Sequence, residues 1–236
     1  MEQTMRAIAH IHSDFPTKFG IPRQSGLVDS LRASIVFEPA YRDPAALRGI
    51  EAFSHLWLLW HFSEAEREGW SPTVRPPRMG GNTRMGVFAT RSPFRPNAIG
   101  LSCVRLEEVV LDSKQGPMLR VSGADLMDGT PIFDIKPYLP GVDSHPDAVG
   151  GFADQFCDFA IDVDCSDALL GCLPPDRREA LLGVLAQDPR PSYQNDPDRV
   201  YGLPFAGFDV KFRVREGRLT VCAIEPLPAE KQDPSV

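Results

Sequence analysis

The chain has 236 residues, 42% of them hydrophobic and 24% charged, which are fractions typical of soluble globular proteins. No apolar run approaches the ~18 residues that a membrane-spanning helix needs. The N-terminus lacks a basic segment followed by an apolar one, so nothing indicates export and we expect a cytoplasmic protein of one or two domains.

The first 145 residues are expected to form short strands. Alternating apolar side chains predict a strand over residues 5–12 and a β-branched run predicts another over 34–38. Asp43 followed by Pro44 predicts the start of one short helix. Residues 53–62, FSHLWLLWHF, are rich in aromatic side chains and predict a fully buried strand or pair of strands. Further strands are predicted over 85–90, 98–112 with a bend at Gly100, 117–123 and 130–136.

Twenty-three prolines and 19 glycines spread along the chain exclude long helices. A succession of short strands with turn signals predicts a mainly β fold, with an N-terminal antiparallel barrel or sandwich. Between its first two strands lies a polar segment, 14–30, which contains enough apolar residues that we expect it to pack against another part of the protein.

A second domain is predicted after a boundary rich in Pro, Gly and Asp at residues 140–151. Residues 1–145 hold 16 basic and 16 acidic side chains, whereas 146–236 hold 9 and 16, so the net charge of −7 lies in the C-terminal part. The expected domains are 1–145 and 152–236, the latter a small α+β domain. Its predicted elements are a strand over 156–163, helices starting at Ser166 and covering 177–187, and a hairpin of 207–215 with 218–225.

Residues 69–106 contain six arginines and no acidic residue, which predicts a local cationic field in an acidic protein. The arginine fork binds phosphate bidentately and stacks on bases, so this stretch suits a phosphate-bearing partner such as RNA. The alternative interpretation is that these arginines are scattered over the surface and do not form a binding site. The six are Arg75, Arg78, Arg84, Arg91, Arg95 and Arg105.

Two further motifs each allow a structural and a functional interpretation. Asp128-Gly129 is an ordinary turn pair, but Asp125 and Asp134 add carboxylates that the turn does not require. Pro189 ends the second helix, while Arg190 and Tyr193 on the same proline-rich segment are also suited to contact an unpaired base. Five cysteines without metal-ligand spacing argue against a zinc site, and no nucleotide-binding glycine motif or nucleophile elbow is present.

The sequence resembles the TsaA-like family over nearly its full length. The motifs that carry the resemblance are PRQSGLV at 22–28, EAFSHLWLLW at 51–60, the long irregular run at 70–102, DLMDGTPIFDIKPYLP at 125–140 and DPRPSY at 188–193. The resemblance implies a β-barrel that binds S-adenosylmethionine, often as a homodimer, with a C-terminal domain in the members that act on tRNA. It also implies methylation of N6 of threonylcarbamoyladenosine at position 37, next to the anticodon.

The same resemblance implies the site residues. Those expected to bind the cofactor are Pro22, Arg23, Gln24, Ser63, Glu64, Arg91, Leu101 and Asp125 with Leu126, Met127 and Asp128. A carboxylate that accepts the N6 proton would restore the nucleophilicity of this deactivated nitrogen, and the candidates are Asp125, Asp134 and, through water, Tyr138. Candidates for tRNA contacts are Arg75, Arg78, Arg84, Arg95, Asn97, Lys136, Arg190 and Tyr193.

Two other functions remain open at this point. The arginine loops could serve as clamps of a non-catalytic RNA-binding module, which would not bind the cofactor. The same barrel could instead methylate a small metabolite, in which case the C-terminal domain would be dispensable.

Overall fold

The computed structural model describes residues 3–65, 69–76, 79, 83–156, 159–190, 194 and 196–228. Within those ranges, no helix has the length and apolar character needed to cross a membrane.

Six antiparallel strands close into a barrel, which confirms the mainly β prediction. In chain order the N-terminal strands are β1 (Ala9–His12), β2 (Arg32–Phe37), β3 (His55–His61), β4 (Thr73–Val74), β5 (Met85–Gly86), β6 (Ile99–Val110), β7 (Met118–Ser122) and β8 (Pro131–Pro137). The barrel order is β1-β2-β7-β6-β3-β8, with β8 pairing back onto β1, while β4 and β5 form a separate two-stranded hairpin. Alternate side chains of the six strands fill the barrel core.

The aromatic strand β3 is buried on one side only, so the prediction of a fully buried strand is wrong. Leu56, Leu58 and Trp60 face the core, whereas the side chains between them point to the outer face. At Gly100, where we predicted a bend, β6 pairs with β3 without a shift in register, whereas its register with β7 shifts between Leu106 and Glu108. Gly100 instead lies against the Trp60 ring, where a Cβ atom would have no room.

Three other N-terminal elements are shorter than predicted. The strand expected over 5–12 is limited to β1, Ala9–His12. The strand expected over 85–90 is limited to Met85–Gly86, because a 3-10 turn at Val87–Ala89 follows it. The helix expected after Asp43 is a single 3-10 turn, Pro44–Leu47, and Asp43 caps it by accepting a hydrogen bond from the Ala45 amide.

The C-terminal region contains a four-stranded sheet of order β10-β11-β12-β9, in which β9 is parallel to β12. Its strands are β9 (Asp162–Asp164), β10 (Tyr201–Phe205), β11 (Phe208–Arg215) and β12 (Arg218–Pro226), and the helices are α1 (Pro140–Asp143), α2 (Asp167–Leu170) and α3 (Pro175–Ala186). The hairpin and both predicted helices are confirmed. The strand predicted over 156–163 is confirmed only at its end, where β9 begins at Asp162; Phe156 belongs to the 3-10 turn Gly151–Phe156, and residues 157 and 158 lie outside the described residues. The strand β10 was not predicted.

The segment between β1 and β2 belongs to the C-terminal core. Phe15, Val28 and Leu31 are buried among side chains of α3 and the four-stranded sheet. The Asp14 carbonyl accepts a 2.9 Å hydrogen bond from the Ala206 amide, and Arg177 Nε of α3 lies 2.8 Å from the Asp14 carboxylate. The expectation that this segment packs against another part of the protein is therefore confirmed.

Candidate active site

Asp125 follows β7 on a loop that turns at Gly123, whose φ of 73° is favourable only for glycine. The Asp125 carboxylate accepts a 2.6 Å hydrogen bond from the Ser102 hydroxyl, which itself accepts a 2.9 Å bond from Trp60 Nε1. Burial raises the pKa of Asp125, while the Ser102 hydrogen bond and the nearby charge of Arg91 oppose that rise. A carboxyl group with these surroundings is suited to take up a proton.

The segment around Gln24 lies beside this carboxylate. The Ser25 hydroxyl accepts a 3.1 Å hydrogen bond from the Cys103 amide, and the Gly26 amide donates a 2.9 Å bond to the Gly123 carbonyl. Gln24 accepts a hydrogen bond from the Arg91 guanidinium and donates one to the Arg23 carbonyl. Loop contacts from three parts of the chain thus bring the predicted cofactor residues Gln24, Arg91 and Asp125 together.

Residues 126–128 lead into the Asp128-Gly129 turn, and hydrogen bonds from Ser13 and Thr130 hold them in place. Leu126 is buried and its carbonyl accepts a 2.8 Å hydrogen bond from the Ser13 hydroxyl. The Met127 carbonyl accepts from the Thr130 hydroxyl at 2.7 Å. Asp128 accepts a 3.1 Å bond from the Ser13 amide, and its Oδ1 is 3.2 Å from His12 Nδ1. The Asp128 side chain therefore has a structural role in this turn, whereas that of Asp125 faces Ser102.

The remaining residues predicted to bind the cofactor differ in their exposure. Pro22 is buried and Arg23 is exposed. Leu101 pairs with Leu59 on the outer barrel face and is 51% exposed. Ser63 and Glu64 are exposed on the 3-10 turn that directly follows β3.

Asp134 and Tyr138 lie apart from the Asp125 carboxylate. Asp134 pairs with Leu59 on the outer barrel face, and its carboxylate is 2.8 Å from Lys136 Nζ. The Tyr138 ring packs against Trp57 with a centroid distance of 5.7 Å. The three candidate proton acceptors are therefore not in one site. Asp125 contacts Ser102, whose side chain points into the barrel, whereas Asp134 and Tyr138 lie on the outer surface.

The residues predicted to contact tRNA differ in their exposure and in the partners of their side chains. Arg75, Arg84 and Asn97 are exposed. The Arg95 guanidinium donates to the Thr90 carbonyl at 2.9 Å and so holds its own loop. Arg190 forms a two-point ion pair with Asp188 at 2.8 Å, which raises its pKa and balances its charge. Arg78 and Tyr193 lie outside the described residues.

Ser102 is the site residue that sequence reasoning missed. It is one of three buried positions of β6, with Gly100 and Val104 as its neighbours on that side. A hydroxyl at a core position of an amphipathic strand requires a partner, and this signal was available in the sequence. Its partner was not, because Asp125 lies 23 residues further along the chain.

Comparison with known proteins gives consistent matches. The family model described as tRNA-methyltransferase O N-terminal domain matches residues 10–144, and that described as TrmO C-terminal domain matches residues 168–227. The chain is 44% identical over 227 residues to an Escherichia coli K12 protein named tRNA (adenine(37)-N6)-methyltransferase, covering 93% of this chain and 96% of the relative.

Two further matches are from Pseudomonas aeruginosa. A protein named putative S-adenosylmethionine-dependent methyltransferase RcsF is 41% identical over 218 residues, covering 89% of this chain and 92% of the relative. A crystal structure of TrmO is 35% identical, with a TM-score of 0.75 and coverage of 95% of this chain and 99% of the other.

Proposed function

The chain belongs to the TrmO family, and from that premise we propose that it transfers a methyl group from S-adenosylmethionine to N6 of the adenine at position 37 of tRNA. The observation that carries the proposal is the meeting of Gln24, Arg91 and Asp125 beside Ser102, within a chain similar to named methyltransferases over almost its whole length. The acceptor base we propose is threonylcarbamoyladenosine, as the sequence resemblance implies.

The residues around Asp125 fit the chemistry of S-adenosylmethionine. The molecule carries a carboxylate, an amine, a ribose diol and an adenine, so its site needs charged groups of both signs above an apolar surface. Arg91 and Gln24 would hold the carboxylate end, and the Asp125 loop would hold the amine or the ribose. When bound, the cofactor supplies an electrophilic methyl group.

Proton removal from the acceptor nitrogen is assigned to Asp125. Burial raises the pKa of Asp125, and the carboxylate is therefore a stronger base toward the N6 proton that it must accept. Asp134 is less suited, because Lys136 holds its carboxylate in an ion pair on the outer face. A positioned base of this kind contributes roughly 10²–10⁴ in rate, in addition to the gain from holding the two reactants in line.

The proposal extends to assembly and location. Leu101 and Ile99 are exposed on the outer barrel face, and such apolar surface supports a homodimer formed through this side of the barrel. We further propose that residues 1–145 and 152–236 are the two domains, that the second contributes to tRNA recognition, and that the protein acts in the cytoplasm, where tRNA is modified.

The test is to incubate the full chain with labelled S-adenosylmethionine and two tRNA pools, one bearing the threonylcarbamoyl modification and one lacking it. We expect label in nucleosides of the modified pool only. Label in both pools would overturn the proposed acceptor. Cofactor binding without label in either pool would favour a small-molecule acceptor, and absence of cofactor binding would favour a non-catalytic RNA clamp.

A further inference from the structure

Two large aromatic side chains are left exposed on the segment that carries the β4–β5 hairpin. Trp70 is 55% exposed and Phe88 is 74% exposed, and their ring centroids are 6.1 Å apart. The 2.9 Å hydrogen bond from the Val87 amide to the Pro72 carbonyl joins the two arms that carry them. The rings therefore form one surface feature although 18 positions separate them in the sequence.

The exposure of Phe88 is built into the local structure. In the 3-10 turn Val87–Ala89, the neighbouring Val87 is only 1% exposed and anchors the turn in the protein. Phe88 is consequently held outward on a fixed base. Because an exposed aromatic side chain forgoes the stabilisation that burial gives, a paired and anchored set of such rings indicates a binding surface.

Positive charge borders the two rings. Val74 pairs with Met85 across the hairpin, and Arg75 and Arg84 are the next residues of the two arms, directly beyond this pair. Both are exposed, and Arg84 has one long hydrogen bond of 3.5 Å, to the Thr73 hydroxyl. The stretch 69–106 contains no acidic residue. Aromatic rings beside exposed arginine side chains suit unpaired nucleotides, whose bases stack and whose phosphates bind arginine.

The aromatic pair is also close to the candidate active site. Phe88 precedes Arg91 by three residues, so the two Cα atoms are at most roughly 11 Å apart even in an extended chain. Arg91 in turn contacts Gln24. One nucleic acid loop is therefore able to place a base on the rings and a neighbouring base at the reaction centre.

We propose that Trp70 and Phe88 form a stacking platform for unpaired bases of the RNA loop that contains the methylated adenosine, with Arg75 and Arg84 binding the adjacent phosphates. This inference rests on the proposed function and assigns the side chains that hold the loop. The platform recognises the π-faces of bases, so it contributes affinity without selecting one base by hydrogen bonds.

The test measures binding of a fluorescein-labelled anticodon stem-loop RNA to the full chain over a range of salt concentrations. Trp70→Ala and Phe88→Ala should each weaken binding by roughly 5- to 150-fold, and the slope of log affinity against log salt should stay unchanged. Trp70→Phe and Phe88→Tyr should restore most of the affinity, since a ring remains available. Leu111→Ala, which truncates another exposed apolar side chain, is the matched control and should bind like the wild type.

The possible results separate this inference from the proposed function. Unchanged RNA affinity in the Trp70→Ala/Phe88→Ala double variant, with a wild type that binds and methylates tRNA, would overturn the platform alone. If the double variant becomes monomeric in sedimentation but keeps its RNA affinity, the surface joins two copies of the chain and the platform is overturned. A wild type that neither binds nor methylates tRNA would overturn both. Melting temperatures of the variants close to wild type exclude a folding defect.

Discussion

Ser102 donates a 2.6 Å hydrogen bond to Asp125 while it accepts one of 2.9 Å from Trp60, so a single hydroxyl joins a loop carboxylate to the barrel core. This bond stabilises the charged form of Asp125, whereas burial favours the neutral form. Burial and several opposing contributions thus set the pKa of the candidate base, and a single substitution removes one of them, the Ser102 hydrogen bond.

Ser102→Ala should move the acid limb of the pH–rate profile to higher pH. Without the hydroxyl, burial of Asp125 is opposed less, so its already raised pKa increases further. A base must be deprotonated to act, and the single-turnover rate should therefore begin to fall at a higher pH than in the wild type, with the plateau rate less affected. The measurement is single-turnover methyl transfer from pH 5 to 9.

Asp125→Asn and Asp134→Asn distinguish the two carboxylates. Because the Asp134 side chain is paired with Lys136 on the outer face, its substitution should change the rate less than threefold. Asp125→Asn should lower the rate by about 10²–10⁴ and abolish the acid limb. Wild-type rates and profiles for Asp125→Asn would exclude it as the base.

Substitutions of Arg91 and Arg84 should weaken the binding of different ligands, although only seven positions separate the two residues. Arg91 contacts Gln24, so Arg91→Ala should weaken S-adenosylmethionine binding by about 10- to 100-fold, as expected for loss of a charged hydrogen bond. Arg84→Ala should leave that affinity unchanged and reduce the salt slope of tRNA binding by about one. Calorimetry with the cofactor and RNA titrations at several salt concentrations check both; equal effects of the two variants on cofactor binding would contradict the assignment.

The sequence predicted the mainly β fold well because its strands are amphipathic and their alternation is local, whereas the choice of a barrel over a sandwich came from the family resemblance. Asp125 was identifiable because its carboxylate exceeds what the Asp128-Gly129 turn requires. The Ser102 contact was not predictable, since it depends on the strand pairing that brings β6 beside the loop after β7. The placement of Phe15 in the C-terminal core was missed for the same reason, because a loop sequence does not specify which distant surface it covers.

Gly100→Ala should destabilise the protein through a clash with the Trp60 ring. A Cβ at position 100 would lie 2.2 Å from ring atom Cε2, and the hydrogen bond to Ser102 restrains the ring from moving away. Overpacking of this kind costs about 1–3 kcal/mol, or a decrease in melting temperature of roughly 2–12 °C. Gly86→Ala is the matched control: no atom of the described residues lies within 4 Å of its added Cβ, and we expect a change in stability below about 0.5 kcal/mol. Equal melting temperatures for the two variants would refute the clash.

Arg177→Ala should destabilise the protein in a manner that depends on pH. Burial raises the pKa of Asp14, and Arg177, 2.8 Å away, opposes that rise. Without Arg177 the folded-state pKa increases further, so the folded protein binds the Asp14 proton more tightly than the unfolded chain over a wider range. Stability is then lost as pH rises from the unfolded value of about 3.9 through the folded one.

For Arg177→Ala we accordingly expect the free energy of unfolding to fall by about 1–3 kcal/mol at pH 7 and by less near pH 4. The loss at pH 7 is smaller than for a fully buried pair because the Arg177 side chain is 26% exposed. Urea unfolding of the full chain at both pH values measures it. Arg218→Ala removes a well-exposed guanidinium 3.9 Å from Asp162 and should change stability by less than about 0.5 kcal/mol at either pH. A loss for Arg177→Ala that is equal at both pH values would mean that the arginine contributes by packing alone, and that the charge of Asp14 does not couple the β1–β2 segment to α3.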